Sequence, residues 1–299
     1  MTIRSSFFAL CVILLLHSLV LPEFATASDD LLRAVSLYAS FDDKLEADFG
    51  GGELSLRTRS DHPTKKGEYV FQDGYDSNVF RLASDSGVAG GALRAVDILP
   101  RRGRLFYPAA KNLAFNRNGW SGAVSMWLNT DPNTIFKSPY CDPVQITQKG
   151  AHDGGIWLDF PDVKPRDMRM GIYHALQDGE KAVKELDPKA PLVHLRRVPF
   201  KVGQWHHVVI SWSNFDSSKG DALAQLFVDG RLIGEMKDRE IAMNWEIEKT
   251  GIYIAVSYIG HFDELAVFNR ALTANEISKL HAEPDWLNKR KHSLAADPK

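Results

Sequence analysis

Residues 258–281 read YIGHFDELAVFNRALTANEISKLH and predict a final strand followed by one short helix. Thr273 precedes the helix and Glu276 lies three residues later, a spacing at which each side chain can cap a free backbone N–H of the other residue. Ile277 and Leu280 share one face of this helix. Because so short a helix is marginal by itself, that face is expected to pack on a sheet.

Alternation of apolar and polar residues with a period of two recurs along the whole chain. Asp229-Gly230 lies between two such runs and predicts a tight hairpin, because a type I′ turn needs positive φ at both central residues. Many short strands with Gly, Pro and Asp between them indicate an all-β fold, either a β-sandwich or a jelly roll. The predicted strands are residues 35–41, 91–97, 122–130, 143–150, 155–160, 168–174, 204–213, 222–230, 231–236 and 251–260.

Residues 1–27 have the pattern of a secretory signal peptide. Arg4 precedes an apolar run at residues 7–21, and the small residues at 25–27 fit a cleavage site. The apolar run is shorter than the roughly 20 residues that a membrane-spanning helix needs, and an uncleaved anchor is the alternative. We therefore expect a chain that is exported to the periplasm, the cell surface or the medium, with no membrane span after cleavage.

The rest of the chain is predicted to be one domain, residues 28–283, followed by a charged tail, residues 284–299, that is disordered. Surface loops are expected at 59–78 and 131–142, and a long charged segment at 175–201 interrupts the strand pattern. The formal net charge is −2 with both signs interspersed, which argues against nucleic acid or an anionic membrane as the main partner.

Three blocks of the sequence resemble a known family. QWHHVVISW (204–212), AQLFVDGRLIGE (224–235) and IGHFDELAVFNRALTANEISKLH (259–281) resemble the C-terminal half of laminin-G-like domains of the concanavalin A-like lectin/glucanase superfamily. With the strand patterns nearer the N-terminus, the resemblance covers about residues 35–283. It implies a two-sheet antiparallel jelly roll with one concave sheet, in which the first and last strands lie side by side.

The resemblance also implies a metal site, because it places SFDD of the first strand beside FDEL of the last. Similar domains often carry a structural Ca²⁺, an ion that prefers several hard oxygen ligands. We therefore predict that Asp42, or its neighbour Asp43, and Asp263 hold calcium. The alternative is that Asp263 and Glu264 cap turns or pair with Arg270.

A carbohydrate-binding face is predicted from strand parity, the alternation of successive side chains between the two faces of a strand. Trp157 and Asp159 lie opposite the apolar face of their strand, and so do Arg169 and Tyr173 in the next strand and His207 in a third. An aromatic ring beside charged groups suits a pyranose, whose C–H face stacks on the ring while its hydroxyls form hydrogen bonds. The alternative is that the long charged segment covers the two aromatic rings.

The sequence thus predicts a secreted, non-catalytic module that binds carbohydrate or an envelope or matrix glycan. One alternative is a glycoside hydrolase of the same fold, for which Glu246, Glu248 and Asp159 are the candidate acids if a strand brings two of them to one face. The other is a structural or adhesive domain that binds a protein partner, which sequence alone hardly separates from sugar binding.

Overall fold

The computed structural model of the protein describes residues 29–296, so the predicted signal peptide lies outside the described residues. Residues 29–33 are helical, and an antiparallel β-sandwich with short C-terminal helices follows. Within this part of the chain, no helix is both long and apolar enough to cross a membrane. The predicted all-β, two-sheet antiparallel sandwich is confirmed.

The first sheet has nine strands. Seven of them follow one hydrogen-bonded path, and the other two pair with each other beside that path. In order along the path the strands are β15 (Arg231–Arg239), β14 (Ala222–Val228), β13 (His206–Phe215), β8 (Trp120–Asn129), β17 (Gly260–Phe268), β1 (Val35–Ala39) and β2 (Phe49–Gly50), with β6 (Ala92–Ala95) and β5 (Phe80–Ala83) beside it.

The second sheet has eight strands and faces the first across the core. A strand of the long charged segment forms one edge of this sheet, and an exposed hairpin forms the other edge. In spatial order the strands are β12 (Leu192–Leu195), β11 (Met168–Tyr173), β10 (Asp153–Phe160), β9 (Cys141–Gly150), β16 (Gly251–Val256), β7 (Arg104–Pro108), β3 (Arg57–Asp61) and β4 (Tyr69–Asp73).

The first and last strands pair, as the resemblance implied. Tyr38 of β1 lies opposite Ala266 of β17 in an antiparallel ladder. The register of β17 shifts between Asp263 and Ala266, and Glu264 has a positive φ of 50°. The adjacent acids of FDEL therefore form a β-bulge, which lets Phe262 and Leu265 both face the core although they are three residues apart.

Apolar side chains from the inner faces of both sheets fill the space between them. The long central strands contribute alternate residues to this core, as their sequence periodicity predicts. The hairpin at Asp229-Gly230 is confirmed, with φ of 49° and 73° at these two residues. The core includes Val124, Met126, Leu128, Val208, Ile210 and Leu226 from the first sheet and Leu105, Val144, Ile146, Ile156, Leu158, Met170, Ile172, Ile252 and Ile254 from the second.

The final helix of the quoted stretch, α1 (Ala274–Ala282), has the predicted capping box. The Glu276 N–H donates to Thr273 Oγ1, and the Thr273 N–H donates to the Glu276 carboxylate at 2.8 Å. Ile277 and Leu280 are both buried, as expected for a helix stabilised by packing.

The disordered tail predicted for residues 284–299 needs correction over its described part. A 3₁₀ turn spans Asn288–Arg290 and a helix, α2, spans Lys291–Ala296. Trp286 is fully buried, so the apolar residues spaced through this charged segment are enough to fix it to the protein.

Two predicted loops also contain strands. The hairpin of β3 and β4 lies mostly within residues 59–78, and β12 lies within 175–201. Both were missed because their residues are mainly polar or charged and lie at sheet edges, where burial does not impose an alternating pattern.

Candidate functional site

Four of the five residues predicted to bind carbohydrate share the outer face of the second sheet. Asp159 pairs across strands with Arg169, and Trp157 and Tyr173 occupy the same face of β10 and β11. Trp157 lies opposite Gly171, where any side chain would collide with the indole ring. The glycine therefore allows the indole to lie flat over β11.

Arg169 is the centre of a buried ion network. Its Nε and Nη2 donate to the two carboxylate oxygens of Asp159 at 2.8 and 2.5 Å, and its Nη1 donates to Glu185 Oε2 at 2.7 Å. Burial raises the pKa of Asp159 to about 6 although the guanidinium opposes this shift. Because both oxygens of Asp159 are held by Arg169, this carboxylate is arranged as part of a structural ion pair.

Aromatic rings enclose the ion network. The Arg169 guanidinium lies 5.4 Å from the centroid of the Trp157 ring and 6.0 Å from that of Tyr140. Trp157 in turn stacks on Tyr173, with centroids 5.9 Å apart and ring planes at 14°, and His152 contacts Tyr173 edge-on at 4.5 Å. Arg169 is thus held by ion pairs in the plane of its guanidinium and by ring contacts nearby.

Trp157 and Tyr173 are covered in this structure. Only 2% of Trp157 and 3% of Tyr173 are exposed, and the Trp157 Nε1–H donates to the backbone carbonyl of Ala151 at 3.0 Å. Glu185, from the long charged segment, reaches the same ion network. The arrangement matches the alternative in which that segment covers the rings, and direct ligand contact by Trp157 and Tyr173 stays a prediction.

An open cleft of about 530 Å³ lies beside the covered rings. Its wall includes the side chain of Tyr140, which is 51% exposed, and its charged groups come from β11, β12 and the long charged segment. We call it the Tyr140 cleft, defined by Tyr140, Asp167, Arg169, Glu185, His194 and Arg196.

Arg166 positions Tyr140 from below. Its guanidinium donates to the backbone carbonyls of Ser138 and Pro139, the two residues before Tyr140, and to the carbonyl of Phe160. Arg166 is itself buried, so it fixes the loop to the end of β10. The backbone that carries Tyr140 therefore needs little further ordering when a ligand stacks on the ring.

Polar groups on the opposite wall of the cleft are also fixed. Arg196 Nη1 and the Arg197 N–H each donate to one oxygen of Asp167 at 2.7 Å. Burial and the nearby arginines lower the pKa of His194, so its ring is neutral at pH 7, and the buried Nδ1 of that ring has no hydrogen-bond partner. The cleft therefore presents one exposed ring face together with oriented donors and acceptors.

Sequence reasoning found Arg169 but missed several other residues of the cleft. Tyr140, Asp167 and Arg196 lie outside or at the ends of strands, where parity does not apply. The available signal was the aromatic residue in SPYCDP, a proline-flanked loop of the kind that often carries function.

His207 does not join the other four residues, because it belongs to β13 of the first sheet. Its Nε2 lies 2.8 Å from Ser125 Oγ, and its ring stacks on Trp127 at 5.0 Å. Burial lowers its pKa to about 3, with a further contribution from His281. The structure thus places His207 under the C-terminal helix, away from the Tyr140 cleft, and its role as a ligand residue stays a prediction.

The two predicted calcium ligands lie on either side of one glycine-rich turn. Asp42 Oδ1 accepts the Gly91 N–H at 3.0 Å, and Asp263 Oδ2 accepts the Val88 N–H at 2.8 Å. Burial raises the pKa of Asp263 to about 8, and the charge of Asp42 contributes to this rise. We call this region the acid corner, defined by Asp42, Asp263 and Glu264.

Glu264 adds a third carboxylate to the acid corner. Tyr38 donates its hydroxyl to Glu264 Oε2 at 2.7 Å, but the buried Oε1 has no hydrogen-bond partner. Burial, together with the charges of Asp263 and Asp42, raises the pKa of Glu264. The alternative partner named above, Arg270, instead forms an ion pair with Glu276 at 2.6 Å.

Calcium at the acid corner stays a prediction. Among residues 29–296, no group of three or more His, Cys, Asp and Glu side chains is arranged to hold a metal ion. The carboxylate oxygens of Asp42 and Asp263 already accept hydrogen bonds from other groups of the protein. A side chain at Gly87 would collide with both the Gly91 carbonyl and the Asp263 carboxylate, so these oxygens approach one another closely. Calcium accepts such mixtures of carboxylate and carbonyl oxygens, and the unpartnered Glu264 Oε1 lies in the same region.

The acids named for hydrolysis are not arranged as that hypothesis requires. Glu246 and Glu248 belong to a 3₁₀ turn, Ile247–Lys249, and its flank, so they do not alternate along a strand. Glu246 is exposed and pairs with Lys249 at 2.7 Å. This corrects the expectation that a strand brings the two acids to one face.

Comparison with known proteins identifies the fold. A laminin G family model, described as the concanavalin A-like lectin/glucanases superfamily, matches residues 107–278. No curated protein matches the sequence. The matched residues include most of both sheets and the strand that carries the bulge of the acid corner.

Solved structures with similar folds share little sequence identity with this chain. The receptor-binding domain of botulinum neurotoxin C/D mosaic serotype gives a TM-score of 0.51 at 12% identity over 84% of this chain, which spans about half (51%) of that chain. Domain 4 of AbnA, a GH43 extracellular arabinanase from Geobacillus stearothermophilus in complex with arabinotriose, gives 0.47 at 15% identity, covering 83% of this chain and 99% of that one. The Ruminococcus gnavus sialidase CBM40 bound to α2,3 sialyllactose gives 0.42 at 12% identity, covering 64% and 96%.

Proposed function

Because the chain belongs to the concanavalin A-like lectin/glucanase superfamily, we propose that it is an exported, non-catalytic module that binds carbohydrate in the Tyr140 cleft. The observation that carries the proposal is the exposed ring of Tyr140 beside a rigid set of charged groups in an open cleft. The proposal that the chain is exported rests only on the signal-peptide pattern of residues 1–27. The carbohydrate is an envelope or matrix glycan outside the cell.

The cleft has the two kinds of contact that a pyranose needs. The C–H face of a sugar ring stacks on Tyr140, and its hydroxyls form hydrogen bonds with His194 and with the exposed guanidinium of Arg196, which the buried Asp167 orients. Arg169 forms the floor, where Asp159 and Glu185 fix its orientation. In this arrangement Trp157 and Tyr173 support binding indirectly, because they enclose Arg169.

Replacing Tyr140 with alanine is expected to weaken carbohydrate binding about tenfold or more, equivalent to about 1.4 kcal/mol, with little change in melting temperature. The loss follows because the ring is the exposed stacking surface of the cleft and contributes little to the core. The measurement is affinity electrophoresis in gels that contain xylan, arabinan, β-glucan or a uronic-acid polysaccharide.

The matched control is Tyr75→Ala, which removes another exposed tyrosine, 37% exposed, that does not line this cleft. Equal retardation of the Tyr140→Ala variant and the wild type in every gel that retards the wild type would exclude the cleft as the binding site. Absence of retardation for the wild type in all gels would count against carbohydrate as the ligand.

We also propose that the acid corner holds a structural calcium ion, with Asp42 and Asp263 as carboxylate ligands. The buried, unpartnered oxygen of Glu264, the residue next to Asp263, supports this proposal. A bound calcium ion would offset the charge of these carboxylates and would link the loop after β1 to the bulge of β17.

Calcium added to chelator-treated protein is expected to raise the melting temperature. At a free concentration of 100 times the Kd, the free energy of unfolding rises by about 2.7 kcal/mol. For a chain of this size, that gain corresponds to about 5–10 °C in differential scanning fluorimetry. Magnesium at the same concentration is the control, because it demands shorter, octahedral coordination. An unchanged melting temperature in calcium would refute the proposed site.

A further inference from the structure

Two arginines lie side by side on the outer face of the second sheet, near the edge away from the Tyr140 cleft. Arg59 of β3 and Arg104 of β7 are directly opposite in their antiparallel ladder. Residues in that relation have Cβ atoms about 5 Å apart, and like charges there repel each other. Burial and the charge of Arg59 lower the pKa of Arg104, as expected for two guanidinium groups that are close and partly desolvated.

Neither arginine forms an ion pair within the described part of the chain. Arg59 Nη1 donates to the Tyr253 hydroxyl at 2.9 Å, and Arg104 Nη1 donates to Gln145 Oε1 at 2.6 Å. The Gln145 amide in turn donates to Asp142, so it separates that carboxylate from Arg104. The Nε and Nη2 atoms of both arginines have no hydrogen-bond partner among the described residues, and they are not among the enclosed polar atoms. These N–H groups are therefore free to donate to a ligand.

The acidic residues on β3 and β4 do not neutralise this pair of charges, because they have other partners. Asp73 pairs with Arg57 at 3.0 Å, and Asp61 lies 3.9 Å from Arg102. The two central arginines thus form a cationic site without an internal anion. A guanidinium with free N–H groups matches the geometry of a carboxylate or sulfate, to which it can donate two parallel hydrogen bonds.

Exposed aromatic rings flank the two arginines. Phe71 lies opposite Arg59 in the ladder of β3 and β4, and it is 53% exposed. The Arg59 guanidinium lies 4.4 Å from the ring centroid of Tyr69, which is 46% exposed, and 4.8 Å from that of the buried Tyr253. The ring contacts fix the guanidinium, while Tyr69 and Phe71 leave apolar surface open beside it. We call this region the arginine face, defined by Arg59, Arg104, Tyr69 and Phe71.

We propose that the arginine face is a second carbohydrate site, which binds an acidic polysaccharide through its carboxylate or sulfate groups. The oxyanion accepts hydrogen bonds from the free N–H groups of both arginines, and the C–H face of the sugar stacks on Phe71 or Tyr69. An anion beside both guanidinium groups also offsets their mutual repulsion in the free protein. Because a neutral sugar lacks this gain, the site selects for charge. The Tyr140 cleft is a separate site, at the edge formed by β11 and β12.

Isothermal titration of the full chain tests the proposal with three ligands: an oligogalacturonate, a sulfated dextran oligosaccharide and the same dextran oligosaccharide without sulfate. The wild type is expected to bind at least one of the two acidic ligands more tightly than the neutral one. Arg59→Met keeps an apolar side chain beside the rings but removes the charge, and it is expected to raise the Kd for that ligand about tenfold. Phe71→Ala leaves both arginines in place and is expected to raise the same Kd about threefold or more.

The matched control is Arg231→Met, because Arg231 is exposed at the start of β15 in the first sheet and carries the same charge. It is expected to bind the acidic ligand with the affinity of the wild type, whereas a loss equal to that of Arg59→Met would reduce the effect to net charge and overturn the site.

Three further results would also contradict the proposal. Wild-type affinity of Arg59→Met, or of Phe71→Ala should Arg59→Met not fold, would overturn the arginine face and leave the Tyr140 cleft standing, and so would failure of the wild type to bind either acidic ligand. An oligoglutamate bound as tightly as the acidic sugar would overturn the assignment to carbohydrate. Loss of binding in Tyr140→Ala with none in Arg59→Met would assign the acidic sugar to the Tyr140 cleft instead.

Discussion

Replacing Trp157 with alanine is expected to lower the free energy of unfolding by about 3–5 kcal/mol. The indole is almost fully buried, lies flat over Gly171, stacks on Tyr173 and encloses the Arg169 guanidinium. Its removal leaves a cavity that the rigid ion network cannot fill by relaxing. Urea denaturation followed by circular dichroism measures the change as a lower midpoint with an unchanged slope.

The comparison variant is Trp205→Ala, since Trp205 is only partly buried and precedes β13 at the end of the first sheet. Its loss of stability is expected to be clearly smaller than that of Trp157→Ala. If Trp157→Ala instead kept the wild-type midpoint while losing carbohydrate binding, Trp157 would be an accessible stacking platform, as strand parity alone predicts.

Replacing Arg169 with methionine is expected to lower the free energy of unfolding by about 3–5 kcal/mol, because it leaves the carboxylates of Asp159 and Glu185 without their shared cation. Both oxygens of Asp159 accept from Arg169, and the pair is almost completely buried. The control is Arg57→Met, which breaks an exposed ion pair with Asp73 and should cost less than about 1 kcal/mol.

The cost of Arg169→Met should depend on pH. Burial already raises the pKa of Asp159 to about 6 in the folded wild type, and loss of the guanidinium raises it further. A carboxyl group whose folded pKa is raised favours the folded state while protonated, and this contribution is lost as pH rises through that pKa. The variant is therefore expected to lose less stability at pH 5 than at pH 8. An equal loss of stability at both pH values would show that the unpaired carboxylate of Asp159 does not cause the loss.

Much of the fold follows from local patterns that are strong in this sequence. Alternate residues of β8, β10, β11 and β13 face the core between the sheets, so these strands and the orientation of their side chains could be predicted. The capping box at Thr273 and the turn at Asp229 were predicted because each depends on residues close in sequence. The pairing of β1 with β17 depended on family resemblance, since no local signal joins the two ends of a chain.

The site was predicted less completely than the fold, for physical reasons. Parity assigns Trp157 to a face of a sheet, but it does not show whether a loop from residues 175–201 covers that face. Tyr140 contributes to the cleft because Arg166 fixes its loop, a contact between residues far apart in sequence. Residues 284–296 were taken for a disordered tail because a few buried residues, Trp286, Leu287 and Leu294, hold a segment whose composition is otherwise typical of solvent-exposed chain.

A crystal structure of the protein with an oligosaccharide from whichever polysaccharide retards it most would test the proposed function most directly. The account predicts density for a sugar ring stacked on Tyr140, with hydroxyls in hydrogen-bond contact with Arg196 or His194. Sugar density elsewhere, for example on the exposed rings of Tyr69 and Phe71 at the opposite edge of the same sheet, with none in the Tyr140 cleft, would contradict it.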